Sequence, residues 1–191
     1  KEVDSAGNTP TRTYNSANQL LSDTIYADAS VSRGVFSKDA ALPETTRYVY
    51  APGNALQLRF VVTAQGNVTE HRYDSYGQRI STIRYVGSAY GVSTLGTTDV
   101  PTQAQMLAWL GGQDPSRTER VDYAYDARGS LSSATTYGEV DATGAGTTAT
   151  AARTQYVYDQ HGNLLQKIEP SGGGTTTYVY DGLGRVLSVS A

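Results

Sequence analysis

Cysteine is absent from this 191-residue chain, and phenylalanine (2), tryptophan (1) and methionine (1) are scarce. Without cysteine there is no disulfide framework, no thiol chemistry and no thiolate metal site. No apolar run approaches the ~18 residues that a membrane helix needs. The formal net charge of −3 is small and of the wrong sign for a nucleic-acid footprint or a membrane-surface patch. The chain opens in polar sequence with no basic-then-apolar leader, which excludes nothing if it is a piece of a longer polypeptide. Histidine occurs only at His71 and His161. What is abundant is tyrosine (15) and glycine (20). Tyrosine has an apolar body and a polar tip that suit half-wet sheet faces, and frequent glycine signals tight turns. The composition points to an all-β fold of low helix content.

The tyrosines fall in a phrase. Tyr156-Val157-Tyr158-Asp159 precedes Gly162, and Tyr178-Val179-Tyr180-Asp181 precedes Gly184, a step of 22 positions. The phrase recurs as Tyr73-Asp74 before Gly77 and as Tyr123-Ala124-Tyr125-Asp126 before Gly129. Weaker copies run from Tyr14, with Asn15 and Asn18 at the punctuating positions, and from Tyr48, with Ala51, Gly53 and Asn54. Aspartate first and glycine fourth is the preference of a type I turn whose last residue is left-handed. The carboxylate can accept from a backbone N–H two residues on, and asparagine tolerates positive φ better than other non-glycine residues. These aspartates therefore read as turn residues rather than catalytic carboxylates. Midway signals at Thr63–Gly66, Asp141–Gly144 and Glu169–Gly172 supply a second turn. One unit is then a hairpin of two strands of ~7–8 residues. In each copy the two tyrosines share a face, and in-register stacking would align them in rows held by cross-strand aromatic contacts. Such a hairpin cannot bury its own face and relies on its neighbours.

Tyr-Asp-x-x-Gly at this spacing, with Glu-Pro-x-Gly-type turns between, resembles the YD or RHS (rearrangement hot spot) repeat. That family includes bacterial polymorphic toxins, cocoon subunits of insecticidal toxin complexes, and teneurin shells. The resemblance implies a spiralling antiparallel β-sheet of stacked hairpins, a section of a hollow shell or solenoid. It also implies a non-catalytic wall segment of a large secreted or surface bacterial protein that encloses or presents a toxin or other cargo. The implied partners are flanking repeats of the same polypeptide or other copies of it. Family members that release a toxin do so by aspartate-dependent self-cleavage at Asp-Pro-x-Gly elements. The single Asp-Pro here, Asp114-Pro115, lacks the glycine, so that activity does not carry over.

Residues 1–191 are expected to be one repeat array, a fragment of a larger protein, broken by insertions. Residues 27–46 and 143–154 read as loops, and 86–120 as an insertion with a helix at about 102–111. Pro101 fixes the helix entry, Thr102 and Gln105 form a capping box, and Gly111-Gly112 end it. Met106, Leu107 and Leu110 make its apolar stripe. Trp109 either packs on the sheet with Leu107 and Leu110 or is a partner contact.

No chemistry-bearing motif competes. His161 lies in a turn slot filled by Tyr76, Arg128 and Leu183 elsewhere, and His71 lies on a strand. No metal, cofactor or catalytic residue is expected. Pro170–Thr175 is glycine-rich but joins two strands, so it lacks the helix terminus of a phosphate loop. Asn67-Val68-Thr69 has the glycosylation pattern. The alternatives are a glycan or cell-surface binding module using exposed tyrosines and Trp109, or a filament built by strand-edge pairing.

Overall fold

The computed structural model describes residues 9–26, 43–53 and 57–191. The fold is all-β, with one short helix. The chain divides into two compact units where the sequence suggests a single array: residues 1–71 with 84–113, and residues 72–83 with 114–191.

The first unit holds β1 (Thr9–Tyr14), β2 (Leu20–Tyr26), β3 (Pro43–Tyr50) and β4 (Leu58–Val62), each antiparallel to the next, with β4 paired to β5 (Val68–Tyr73). After β6 (Arg79–Tyr85), the helix α1 spans Gln103–Leu110. Its capping box forms as the sequence suggests: the Gln105 amide donates to Thr102 Oγ1, and the Thr102 amide to the Gln105 side chain.

Most of the core of this unit is one sheet face. Alternation along β3 buries Thr45, Arg47 and Val49, and their counterparts are Ser22 and Thr24 on β2, Phe60 and Val62 on β4, and Val68 and Glu70 on β5. Met106 of α1 is fully buried, whereas Leu107 is 45% exposed. The helical stripe thus turns on Met106, and Leu107, expected against the sheet, faces outward.

The insert is tied down by polar contacts as well as apolar ones. Arg47 donates to the carbonyls of Asp99 (2.8 Å), Gly96 (3.0 Å) and Thr45 (3.1 Å). Burial depresses its guanidinium pKa, and nearby Asp99 partly offsets this. Glu70 is buried beside Arg59 at 3.2 Å and accepts from the Tyr85 hydroxyl at 2.9 Å. A buried charge is costly unless paired and hydrogen-bonded, and both conditions are met.

The second unit carries β7 (Thr118–Tyr125), β8 (Leu131–Tyr137), β9 (Ala151–Tyr158), β10 (Leu164–Ile168), β11 (Thr175–Tyr180) and β12 (Val186–Ser190), paired antiparallel in chain order. Its strands are mostly half-buried, and β12 is exposed throughout.

Three boundaries differ from expectation because pairing extends strands into segments that look like loops. Residues 27–42 and Asn54 lie outside the described residues, but Pro43–Thr46 pair with β2 as the start of β3. Residues 143–154 comprise a turn closed by Asp141–Gly144, a short 3-10 turn at Thr148–Thr150, and the first residues of β9, where Thr154 pairs with Ala134. Thr118–Arg120 likewise belong to β7 rather than to the insertion.

Candidate functional site

The chemically distinctive element is the repeated turn. In the turns at Asp74, Asp126, Asp159 and Asp181, one carboxylate oxygen accepts from the backbone N–H groups two and four residues on, at 2.8–2.9 Å. The fourth residue donates its N–H back to the aspartate carbonyl, and the aspartate N–H reaches the carbonyl of the fifth. Gly77, Gly129, Gly162 and Gly184 take φ values of 81°, 84°, 89° and 77°. Asp141 and Gly144 form the same turn inside the β8–β9 connection. The degenerate copy keeps the design: Asn15 Oδ1 accepts from Ala17 and Gln19, and Asn18 has φ 59°.

At Asp126, Asp159 and Asp181 these bonds favour the charged carboxylate. The Asp126 pKa lies below the usual value, first because of the Ser130 N–H. Asp159 is lowered chiefly by the Asn163 side chain, and Asp181 chiefly by the Arg185 N–H. Every carboxylate is committed to its own backbone, which leaves it poorly placed to serve as a general base.

The tyrosines do something the sequence did not suggest. Direct cross-strand partners are not aromatic: Tyr123 faces Ala134, Tyr156 faces Lys167, and Tyr178 faces Val189. Tyrosine-bearing strands alternate with strands that lack the phrase, so rings of successive copies stand about 10 Å apart, two strand spacings. The expected aromatic ladder therefore does not form directly. Instead the hydroxyl takes over. Tyr125 Oη donates to the carbonyl of Arg79, and Tyr180 Oη to the carbonyl of Leu164, both at 2.9 Å. Each acceptor sits five residues after the aspartate of the preceding copy. At these two positions the tyrosine next to the aspartate is thus a staple between consecutive copies of the phrase, which phenylalanine could not be. Arg79 adds a cation–π contact, 5.3 Å above the Tyr123 ring.

Register is equally regular. Between copies, Ser22 pairs with Arg47, Ser133 with Gln155, and Gln166 with Thr177. In all three the residue seven after one turn's first position meets the residue four before the next turn's. A bulge beside the tyrosine sets this offset in each hairpin.

The remaining candidates lie elsewhere. Trp109 packs edge-on against Tyr85 (5.5 Å, 74°) and Tyr90 (6.1 Å, 66°), fastening α1 to the first unit. His71 is buried in β5, and His161 is an exposed turn residue. Among the described residues no three His, Asp or Glu side chains converge to hold a metal, and no helix is long and apolar enough to cross a membrane.

Comparison with known proteins agrees with the repeat. Residues 158–191 match the family model of the RHS repeat. No curated protein matches the chain. Among solved structures, the chain is similar to the crystal structure of TcdB2-TccC3, with 14% identity over 93% of this chain and 9% of that one and a TM-score of 0.40. The TcdB2-TccC3-Cdc42 structure gives 14%, 93%, 9% and 0.39. The Photorhabdus luminescens Tc holotoxin pore gives 16%, 98%, 10% and 0.35. The chain spans about a tenth of these structures' chains. The match identifies residues 158–191 as an RHS repeat.

Proposed function

We propose that this chain is a wall segment of a larger secreted or surface RHS-repeat protein, one that encloses or presents a toxin or other cargo. The observation that carries this reading is the shared register of three inter-repeat junctions. A surface kept for chemistry would vary around one site, whereas here the same pairing recurs at three separate junctions. The partners are then flanking repeats and the enclosed segment. The test uses the full polypeptide that carries these repeats. With proteinase K, a cargo segment should survive while the wall is intact and be digested when Gly162→Val and Gly184→Val are combined. Equal digestion of both proteins would overturn enclosure.

A glycan-binding reading draws on a groove between the last two turns, lined by His161, Asn163, Leu165, Tyr178 and Leu183. An aromatic ring beside amide and imidazole groups suits a sugar, and Tyr178 lines this groove whereas Trp109 packs on Tyr85 and Tyr90. Glycan-array binding that is lost in Tyr178→Ala but kept in Trp109→Ala would favour it over the wall.

A further inference from the structure

Two copies of the repeat lay an arginine against the copy that follows, and a third offers the same acceptors without one. Arg128, two residues after Asp126, places two guanidinium nitrogens on Asp126 Oδ2, at 3.1 and 3.3 Å. Its third nitrogen donates to the Asp159 carbonyl at 2.6 Å, so the side chain spans from one turn to the next. Arg79, five residues after Asp74, lies 5.3 Å over the ring of Tyr123, which stands three residues before Asp126.

The groove between the Asp159 and Asp181 turns repeats these acceptors. It has a volume of about 650 Å³ and is lined by Asp159, Tyr178 and Asp181, the counterparts of Asp126, Tyr123 and Asp159. That size falls within the roughly 300–1,000 Å³ of ligand sites. Among the described residues the Asp181 carbonyl accepts only from the Gly184 N–H, at 3.0 Å, which leaves its second lone pair unused. His161 occupies the slot of Arg128. Its side chain is 86% exposed, lies 3.9 Å from Asp159 Oδ2, and among the described residues makes no hydrogen bond across to Asp181. No residue of β12 lines the groove, so a repeat paired to that strand would lie beyond it.

We infer that the groove between the Asp159 and Asp181 turns receives an arginine side chain from another polypeptide. The guanidinium bridges Asp159 Oδ2 and the Asp181 carbonyl as Arg128 bridges the turns one copy earlier, with Tyr178 beside it. A planar fork reaches two acceptors at once and stacks on a ring, which an ammonium does not. The occupant is a cationic side chain rather than a sugar, so the inference rests on neither the enclosure nor the glycan reading.

Titration of the isotope-labelled 191-residue chain with N-acetyl-arginine amide, followed by backbone amide NMR shifts, tests this. Saturable shifts are expected at residues 159–163 and 178–184. N-acetyl-lysine amide should bind about 10-fold more weakly, the loss of one charge-assisted hydrogen bond. Asp159→Asn, which keeps the turn as Asn15 does, should weaken arginine binding by a similar factor. His161→Arg should abolish the shifts by filling the groove from its own turn, and should raise the urea midpoint by adding a tie between copies. Lysine binding as tight as arginine, an unchanged titration in His161→Arg, or free arginine binding more tightly than the blocked amide would overturn the assignment. So would shifts centred on the Asp126 turn, where Arg128 already holds the equivalent place, or no saturable shift at all.

Discussion

The Tyr180 hydroxyl donates to the Leu164 carbonyl at 2.9 Å, bridging two copies of the repeat. Tyr125 and Arg79 repeat the contact two copies earlier. This pairing gives tyrosine, at these two positions, a role that phenylalanine could not fill. A ring alone would serve packing, but only the phenol reaches the neighbouring backbone.

Tyr180→Phe should therefore destabilise the chain by about 0.5–1.5 kcal/mol, the net contribution of one hydrogen bond. Tyr178→Phe, two residues away on the same face, should cost less. Urea midpoints of the two variants measure the difference. Equal midpoints would show that the hydroxyl bond contributes nothing beyond ring burial.

Gly162 and Gly184 hold φ of 89° and 77°, with no tight contact around the position of a Cβ. The cost of a side chain there is thus conformational rather than steric crowding. A left-handed residue costs roughly 1–2 kcal/mol, and β-branching raises it. Gly162→Val should lower the melting temperature, while Gly182→Ala, at a position without positive φ and with open space, should leave it nearly unchanged. Thermal denaturation of the pair separates turn strain from a general intolerance of substitution.

Much of this architecture can be read from the residues. Aspartate and glycine at fixed spacing encode a turn through local chemistry alone, and Thr102 with Gln105 encodes a helix start in the same way. What could not be read depends on neighbours distant in the chain. The staple joins residues 16 and 46 positions apart. Pro43–Thr46 resemble a loop until β2 is beside them. The Arg47 clamp requires knowing that residues 96–99 return to β3. A signal for the staple did exist: tyrosine, not phenylalanine, stands before each Asp of the phrase.

Acid should weaken the turns. Asp126, Asp159 and Asp181 have pKa values below their ordinary ~4, because backbone and side-chain donors favour the carboxylate. A pKa lowered on folding contributes stability that is present above the unfolded value and is lost as pH falls through the folded one. Urea midpoints should drop between pH 5 and pH 3. The triple variant Asp126→Asn, Asp159→Asn, Asp181→Asn should show a smaller drop while staying close to the parent at pH 7, since Asn15 already makes the same two backbone bonds. An undiminished drop in the variant would assign acid sensitivity to carboxylates outside these turns.

The insert should detach at Gly66 or Arg47 rather than at Trp109. Gly66 has φ 80°, accepts from the Tyr90 N–H at 2.8 Å, and a Cβ there would collide with the Tyr90 carbonyl oxygen. Backbone cannot yield as a side-chain tip can, so Gly66→Ala must push residues 89–90 away from the turn. Arg47→Met removes donors from two insert carbonyls, Gly96 and Asp99, and exposes those acceptors to a cost of about 1–3 kcal/mol each where water cannot replace them. Trp109→Ala loses ring packing but leaves both anchors in place. Hydrogen exchange should therefore show faster exchange across residues 89–99 in Gly66→Ala and Arg47→Met, with β7–β12 unaffected. In Trp109→Ala the faster exchange should be confined to α1. If Trp109→Ala freed the whole insert and Arg47→Met did not, aromatic packing rather than the guanidinium clamp would be what holds this segment on β3.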